Sequence, residues 1–159
     1  MKNRIEIFIL TYNRAEMLKD SIISLLNQSI GKIKITVLDN TSTDNTENLV
    51  KELMAKNDNL YYFKQECNKG GGGNFAKAIE LANADYIMTF HDDDILHPDY
   101  LKYALKVINK YPNISIVSSN YKGYTNPTNE NWNKASSYYK YCSTKRDFVN
   151  YLYRMQEYG

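Results

Sequence analysis

Three consecutive aspartates, Asp92 to Asp94, lie between an apolar run and Pro98. Adjacent carboxylates repel one another, so a sequence usually groups them for solvation, for helix capping or to bind a cation. Mg²⁺ and Mn²⁺ prefer carboxylate oxygens and are commonly held by one or two carboxylates together with substrate phosphates. A solvated acidic turn is the alternative, because helix N-termini favour carboxylates. The triplet therefore indicates either a divalent-cation site or an acidic helix start.

A glycine-rich stretch, "NKGGGGN" from Asn68 to Asn74, is the second candidate. Four successive glycines predict a loop whose backbone approaches a ligand closely, followed by a helix start that offers N–H groups to an anion. The stretch is not a P-loop, because no Gly-Lys-Ser/Thr follows. It is not a dinucleotide fingerprint either, because that motif belongs after the first strand. A surface loop without a ligand is the alternative interpretation.

Two further polar positions follow predicted strands. Asp39 offers an acceptor for the N–H of a base or for a ribose hydroxyl, and Tyr12 offers a ring on which a base can stack. His91 and His97 flank the aspartates and are interpreted as packing or surface histidines. Nothing in the sequence resembles a Ser-His-Asp set, and Cys67 has no evident base partner.

Strand and helix patterns alternate along most of the chain. Apolar, β-branched runs predict five strands, and helical spacing of apolar residues predicts a helix after each of the first four. Asn13 is predicted to cap the first helix, and "ISIVSSNYKGY" is predicted to be the fifth strand. The order is typical of an α/β fold with a mostly parallel, Rossmann-like sheet flanked by helices on both faces. Ligands of such sheets lie beyond the carboxyl ends of the strands, so we expect the polar features to converge on one crevice.

Composition limits the classes of protein and of partner. A length of 159 residues suggests one domain. The net charge of +2 is too balanced to favour nucleic acid as the main partner. Two cysteines without a CxxC pair argue against a zinc site and a disulfide framework. The sequence shows neither a signal-peptide core nor a membrane-spanning apolar run, which predicts a cytoplasmic protein and leaves peripheral membrane contact open.

Four sequence blocks resemble the family 2 glycosyltransferases of GT-A fold, over roughly residues 4 to 120. The blocks are "IFILTYNRAEMLKDSIISLLNQS", "ITVLDNTSTDNT", "NKGGGGNFAKAIELANADYI" and "FHDDDILHPDYL". The resemblance implies a nucleotide-sugar (donor) binding core over residues 1–124. Residues 125–159, an irregular Tyr-rich segment with a terminal helix, would begin an incomplete acceptor region.

The resemblance also implies roles for individual residues. The residues that it places in the donor site are Thr11, Tyr12 and Asn13 in the nucleotide pocket, Asp39 on the base, and Asn68, Gly70 and Gly71 near the ribose and diphosphate. Asp92 would face the ribose and sugar. Asp93 is the expected ligand of Mn²⁺ or Mg²⁺, and Asp94 is either an alternative ligand or a supporting neighbour.

The implied activity is metal-assisted transfer of a sugar from a UDP- or dTDP-linked donor to a glycan or lipid-linked acceptor, with inversion. Three departures from the family pattern stand out. Asn40 replaces a frequent second aspartate, and Phe75 replaces a frequent arginine, which leaves phosphate charge to Lys69, Lys77 or the metal. No residue matches the carboxylate general base, so the chain is interpreted as cut short before the acceptor site.

The sequence leaves two other functions open. The first is a nucleotide-sugar-binding module without turnover, motivated by the missing acceptor half. The second is a nucleotidyltransferase, which is disfavoured because "TYNRAEM" has no glycine to hold a triphosphate. A truncated acceptor region would also expose apolar surface, so the Tyr-rich tail, residues 138–158, is predicted to promote self-association.

Overall fold

A computed structural model describes residues 5–118 and the backbone of residues 119 and 139–142. The chain divides into two compact units, Met1–Asp99 and Tyr100–Gly159. The donor core over residues 1–124 and the acceptor region over residues 125–159 stay predictions. The elements of the first unit are β1 (Ile5–Thr11), α1 (Ala15–Leu26), β2 (Lys34–Asp39), α2 (Thr46–Met54), β3 (Leu60–Lys64), α3 (Gly70–Leu81) and β4 (Tyr86–His91).

The four strands form one parallel sheet in the order β3-β2-β1-β4. The register pairs Thr11 with Asp39 on one side of β1 and Leu10 with His91 on the other. Strand β1 is therefore central, and its apolar residues are buried on both faces, as in covered parallel sheets. The predicted mostly parallel α/β sheet is confirmed.

Strand order determines which face each helix covers. The chain moves from β1 to β2 to β3 in one direction and then returns past β1 to β4. Because parallel crossovers are right-handed, α1 and α2 belong on one face and α3 on the other. Phe8 and Leu38 pack with Ala78 of α3 in one core cluster. Ile7 and Ile9, which point to the opposite face, are also fully buried.

The prediction of a glycine loop is wrong, because the four glycines form the first turn of α3. Gly70 has φ +68°, a conformation that glycine adopts without the usual Cβ penalty. Glycine costs about 1 kcal/mol relative to alanine inside a helix. Tertiary hydrogen bonds offset that cost: the buried Asn74 side chain donates to the Leu38 carbonyl at 2.8 Å, and Asn40 and Asn68 hold the residues before the helix.

The predicted Asn13 cap on α1 is also wrong. Asn13 Oδ1 accepts the Thr43 N–H at 2.7 Å. The Ala15 N–H at the start of α1 donates to Asp44 Oδ2 at 3.0 Å, and Asp44 Oδ1 accepts the Thr46 N–H at 3.1 Å. One carboxylate therefore serves the starts of both α1 and α2. Partial burial opposes ionisation, but the bonds from Thr46 and Ala15 outweigh it and lower the pKa of Asp44.

The second unit contains α4 (Tyr100–Lys110), β5 (Ile116–Ser119) and β6 (Tyr139–Cys142). Strand β5 is the predicted fifth strand, and it pairs antiparallel with β6 in a two-stranded sheet. Its residues Ile116, Val117 and Ser118 are only half-buried, unlike those of a strand covered on both faces. The predicted terminal helix and most of the Tyr-rich tail lie outside the described residues. No helix in the described part of the chain is long and apolar enough to cross a membrane.

Candidate functional site

The candidate site lies where the strand order reverses, between β1 and β4. In open parallel sheets a crevice forms at this point, outside the carboxyl ends of the strands. It forms because the connections that follow the two neighbouring strands run to opposite faces of the sheet. Thr11 ends β1, and Asp92 follows β4 directly. Thr11 Oγ1 donates to Asp92 Oδ2 at 2.8 Å, so a hydrogen bond joins the two strand ends.

Arg14 lies beside the first two aspartates. Its NH1 group donates to Asp92 Oδ1 at 3.2 Å and to Asp93 Oδ2 at 3.0 Å. The side chain of Asp92 is only 6% exposed, whereas those of Asp93 and Arg14 are 49% and 51% exposed. Asp92 thus has both carboxylate oxygens bound by protein groups. Asp93 presents a carboxylate to solvent with one of its oxygens on Arg14.

Asp94 completes the acidic triplet with a different environment. Burial raises the pKa of the Asp94 carboxyl, the negative charge of Asp93 raises it further, and His91 partly opposes the shift. The backbone is held by Ser21 Oγ, which donates to the Asp94 carbonyl at 2.6 Å. Within residues 5–119 the Asp94 carboxylate accepts no hydrogen bond. A nearby divalent cation would favour its ionised form.

The acidic triplet fits a cation that phosphates help to hold. Within the described residues, no group of three or more His, Cys, Asp or Glu side chains could ligate a metal by itself. Asp93 and Asp94 offer oxygen ligands at the protein surface. Mg²⁺ and Mn²⁺ in nucleotide enzymes take one or two protein carboxylates and complete their coordination with phosphate and water. The donor set therefore matches that kind of site and does not match an all-protein cage.

Asp39 lies at the end of β2 and has no exposed surface. Its Oδ1 accepts the Ser42 N–H at 2.7 Å, and its Oδ2 accepts the Tyr62 hydroxyl at 2.5 Å. Burial, followed by the bond to Asp39, raises the pKa of Tyr62, so the phenol remains a hydrogen-bond donor. In this conformation Asp39 shapes the loop after β2, and a base would have to displace Tyr62 to reach its carboxylate.

The loops after β1 and β2 bind each other. The Asn13 N–H donates to Ser42 Oγ at 2.8 Å, and Asn13 and Thr41 both have positive φ, at 53° and 72°. Positive φ is uncommon outside glycine and costs about 1–2 kcal/mol per residue. Four side-chain and backbone bonds therefore keep this pair of loops in an otherwise unfavourable shape. Tyr12, which directly follows β1, is 46% exposed and available for stacking.

Asn40 connects the end of β2 to the start of α3. Its Nδ2 donates to Asn68 Oδ1 at 2.8 Å, and its Oδ1 accepts the Lys69 N–H at 2.8 Å. Asn68 Oδ1 also accepts the Gly70 N–H at 2.8 Å. An aspartate at position 40 could make only the second of the Asn40 bonds. The departure from the family pattern therefore has a structural reason, which is the donor that Asn40 supplies.

The sequence-predicted site residues lie at or just after the carboxyl ends of the strands of the parallel sheet or at the start of α3. Direct bonds join Thr11 to Asp92 and Asn68 to Gly70. The structure adds Arg14, which sequence reasoning had not assigned. The sequence contained an indication of this role, because Arg14 directly follows a predicted strand end. Arg14 and Lys19 are the two basic residues between Thr11 and Asp20.

A parallel α/β sheet whose strand order reverses beside its central strand defines the Rossmann-like class of fold, in which ligands lie outside the carboxyl ends of the strands. The sequence model of Glycosyl transferase family 2 matches residues 6–157. The chain belongs to this family, which confirms the resemblance of its four sequence blocks.

Several curated relatives are similar to this chain over its larger part. An uncharacterized glycosyltransferase of Methanocaldococcus jannaschii is 32% identical over 120 residues, which cover 74% of this chain and 41% of that protein. The dTDP-rhamnosyl transferase of Shigella flexneri is 32% identical over 119 residues, with coverage of 72% and 41%. The chain therefore spans less than half the length of either relative.

Solved structures include a similar fold with a bound nucleotide. Residues 1–349 of TarS from S. aureus, in complex with UDP, superpose with a TM-score of 0.64 at 27% sequence identity. The superposition covers 70% of this chain and 33% of the TarS chain.

Proposed function

We propose that this chain is the donor-binding part of a metal-assisted glycosyltransferase whose donor is a nucleoside diphosphate sugar. The observation that carries the proposal is the hydrogen-bonded Thr11–Asp92 pair at the topological switch point, with Asp93 beside it at the surface. This arrangement provides a buried, oriented carboxylate for a sugar or ribose hydroxyl. It also provides an exposed carboxylate for a cation.

The nucleotide would lie over the loops that follow β1 and β2. Tyr12 is exposed and offers its ring for stacking, while Asn13 accepts a hydrogen bond from Thr43 in the loop after β2. The proposed base is uracil or thymine, supported by the UDP complex of TarS and by the dTDP-rhamnosyl transferase among the relatives. Asp39 remains the predicted base contact, which requires that Tyr62 release its carboxylate.

The diphosphate would lie at the start of α3. A Cβ added to Gly71 or Gly72 would meet no atom within 4 Å, so the backbone there is open to a ligand. The first turn contains no acidic residue, and helix N-termini present free N–H groups and a partial positive charge to anions. Asn68 and Gly70, tied together by their hydrogen bond, would border the ribose and diphosphate.

Asp93, with Asp94 as the second candidate, would hold Mn²⁺ or Mg²⁺. When bound, such a cation neutralises the diphosphate and stabilises it as a leaving group. The acceptor hydroxyl would attack the anomeric carbon on the face opposite the departing diphosphate, with inversion. Asp92, fixed by Thr11 and Arg14, would orient the sugar for that attack.

The acceptor, a glycan or a lipid-linked glycan, and the general base that would deprotonate it stay predictions. So do the cytoplasmic location, peripheral membrane contact and self-association.

Calorimetric titration of UDP, with and without Mn²⁺, tests the proposal. The unmodified chain should bind UDP at least tenfold more tightly when Mn²⁺ is present. Asp93→Asn should lose most of that gain, whereas Asp20→Asn, an exposed carboxylate change on α1, should keep it. Equal Mn²⁺ dependence in Asp93→Asn and the unmodified chain would overturn the metal assignment. GDP as a third ligand should bind more weakly than UDP if the base contact is to a pyrimidine.

A further inference from the structure

Arg14 places a positive charge where the proposed cation would bind. Its NH1 group is 3.0 Å from Asp93 Oδ2 and 3.2 Å from Asp92 Oδ1. Of these two carboxylates, Asp92 is nearly buried and has a second donor in Thr11. Asp93 is half exposed, and within the described residues Arg14 is its one hydrogen-bond partner. A divalent cation that approaches Asp93 must therefore compete with Arg14.

The backbone around Arg14 explains why its side chain points to the aspartates. Arg14 is the N-cap residue of α1, and its carbonyl accepts the Leu18 N–H at 3.0 Å. Its side chain makes no capping bond, because a guanidinium has no acceptor for a backbone N–H, and Asp44 accepts the N–H of Ala15 instead. The helix therefore fixes the Arg14 backbone, and the guanidinium remains available to bridge two carboxylates.

The net charge of the group formed by Arg14, Asp92 and Asp93 depends on whether a cation and a nucleotide are bound. Without ligands, Arg14 offsets part of the repulsion between adjacent carboxylates. Adding a divalent cation alone would place it beside a guanidinium, and two like charges a few ångströms apart repel even in a solvated site. Adding a nucleoside diphosphate together with the cation would supply negative charge for both positive groups.

We propose that Arg14 couples divalent-cation binding to nucleotide binding, by weakening cation binding at Asp93 until a nucleoside diphosphate is present. This inference rests on the proposed function, because it assumes that Asp93 binds the cation. Arg14 is a positioning residue in this scheme, which acts through the two aspartates and the diphosphate. By linkage, the cation must then strengthen nucleotide binding by the same factor by which the nucleotide strengthens cation binding.

The test is a Mn²⁺ titration followed by the electron paramagnetic resonance signal of free aqueous Mn²⁺. Each protein is titrated with and without saturating UDP. The coupling factor is the ratio of the two Mn²⁺ dissociation constants. In Arg14→Gln, Mn²⁺ should bind the UDP-free protein about tenfold more tightly than in the unmodified chain, and the coupling factor should fall by about the same ratio.

Two controls separate the charge of Arg14 from other effects. Arg14→Lys keeps the charge and should retain the coupling factor within about threefold. Lys19→Gln removes a charge of the same sign from an exposed position on α1 and should leave both constants unchanged. Because the Arg14 side chain is half exposed, Arg14→Gln is expected to fold normally.

The possible results distinguish the inference from the proposed function. If Mn²⁺ binds with UDP in every variant and the coupling factor of Arg14→Gln equals that of the unmodified chain, the inference fails and the proposed function stands. If the unmodified chain binds no Mn²⁺ even with saturating UDP, the metal assignment and the inference are both wrong. Tighter Mn²⁺ binding without UDP in Arg14→Gln but not in Lys19→Gln supports the inference.

Discussion

Replacing Asn40 by aspartate should destabilise the start of α3. Asn40 is 5% exposed, and its amide makes two different bonds: Nδ2 donates to Asn68 Oδ1, and Oδ1 accepts the Lys69 N–H, both at 2.8 Å. Aspartate keeps an acceptor for Lys69 but turns an oxygen towards Asn68 Oδ1. Two acceptors would then face each other in a nearly buried position.

The expected loss in the free energy of unfolding depends on whether the Asn68 side chain rotates in Asn40→Asp. If Asn68 rotates its amide to donate to the new carboxylate, it loses the bond from the Gly70 N–H, which is worth about 1 kcal/mol. If Asn68 does not rotate, a buried acceptor is left without a donor, which costs about 1–3 kcal/mol. The free energy of unfolding should therefore fall by about 1–3 kcal/mol in Asn40→Asp.

Urea unfolding at neutral pH measures this loss, with Asn68→Asp as the matched control. Asn68 uses only its oxygen, which accepts from Asn40 and from Gly70, so aspartate preserves both bonds. Its position is exposed and precedes a helix N-terminus, where a negative charge is favourable. Asn68→Asp should stay within about 0.5 kcal/mol of the unmodified chain. Equal losses in the two variants would refute the assigned donor and acceptor directions of this pair.

Three further predictions concern stability. In the first turn of α3, a Cβ on Gly73 would overlap the Cβ of Lys69, whereas one on Gly72 meets nothing within 4 Å. In urea unfolding, Gly73→Ala should therefore lose about 1–3 kcal/mol and Gly72→Ala should gain about 0.5–1 kcal/mol. Thr11→Val should lose about 1–3 kcal/mol, because a buried Asp92 oxygen loses its donor, and Thr11→Ser should recover most of the loss; equal thermal shifts in the two would contradict this. The lowered pKa of Asp44 contributes stability that is present above its unfolded pKa of about 3.9 and is lost as the pH falls through the folded value. Asp44→Ala should therefore be less stable at pH 7 by about 1–2 kcal/mol and lose less stability between about pH 5 and 2, as measured by unfolding at each pH.

Local patterns were sufficient to predict the sheet. The run from Ile7 to Leu10 is apolar on successive residues, which is typical of a strand covered on both faces, and Ile33, Ile35 and Val37 alternate with other residues as in a strand. The alternation of these strands with helices then predicted a parallel sheet. The same reasoning could not find the partner of β5, because a short β-branched strand does not specify which strand it pairs with.

Long-range hydrogen bonds explain where local patterns failed. Glycine propensity predicted a loop before Asn74, but bonds to Leu38 and Asn40, about thirty residues away in sequence, stabilise a helix there. Likewise, Asp44 rather than Asn13 caps α1 from a separate loop. Such partners depend on tertiary approach and leave no trace in a short window of sequence.

The sequence was sufficient to predict that the site residues lie at the carboxyl ends of the strands. The rule for parallel sheets brought Thr11 and Asp92 to one crevice, and the structure joins them by a hydrogen bond. The burial of Asp39 under Tyr62 and the bridge from Arg14 were not predictable, because both depend on the direction of a side chain. Family resemblance assigns positions, but it does not give these contacts.

We propose that a cation and a nucleotide bind at the carboxyl ends of β1 and β4. Mn²⁺ added to the ¹⁵N-labelled chain with UDP tests it most directly, since the bound ion broadens the amide signals nearest to it. We expect selective broadening at His91 to Asp94 and at Tyr12 to Arg14. The signals of Lys34 and Leu60, at the opposite ends of their strands, should stay unchanged. Broadening centred on those opposite ends, or none near Asp93, would contradict it.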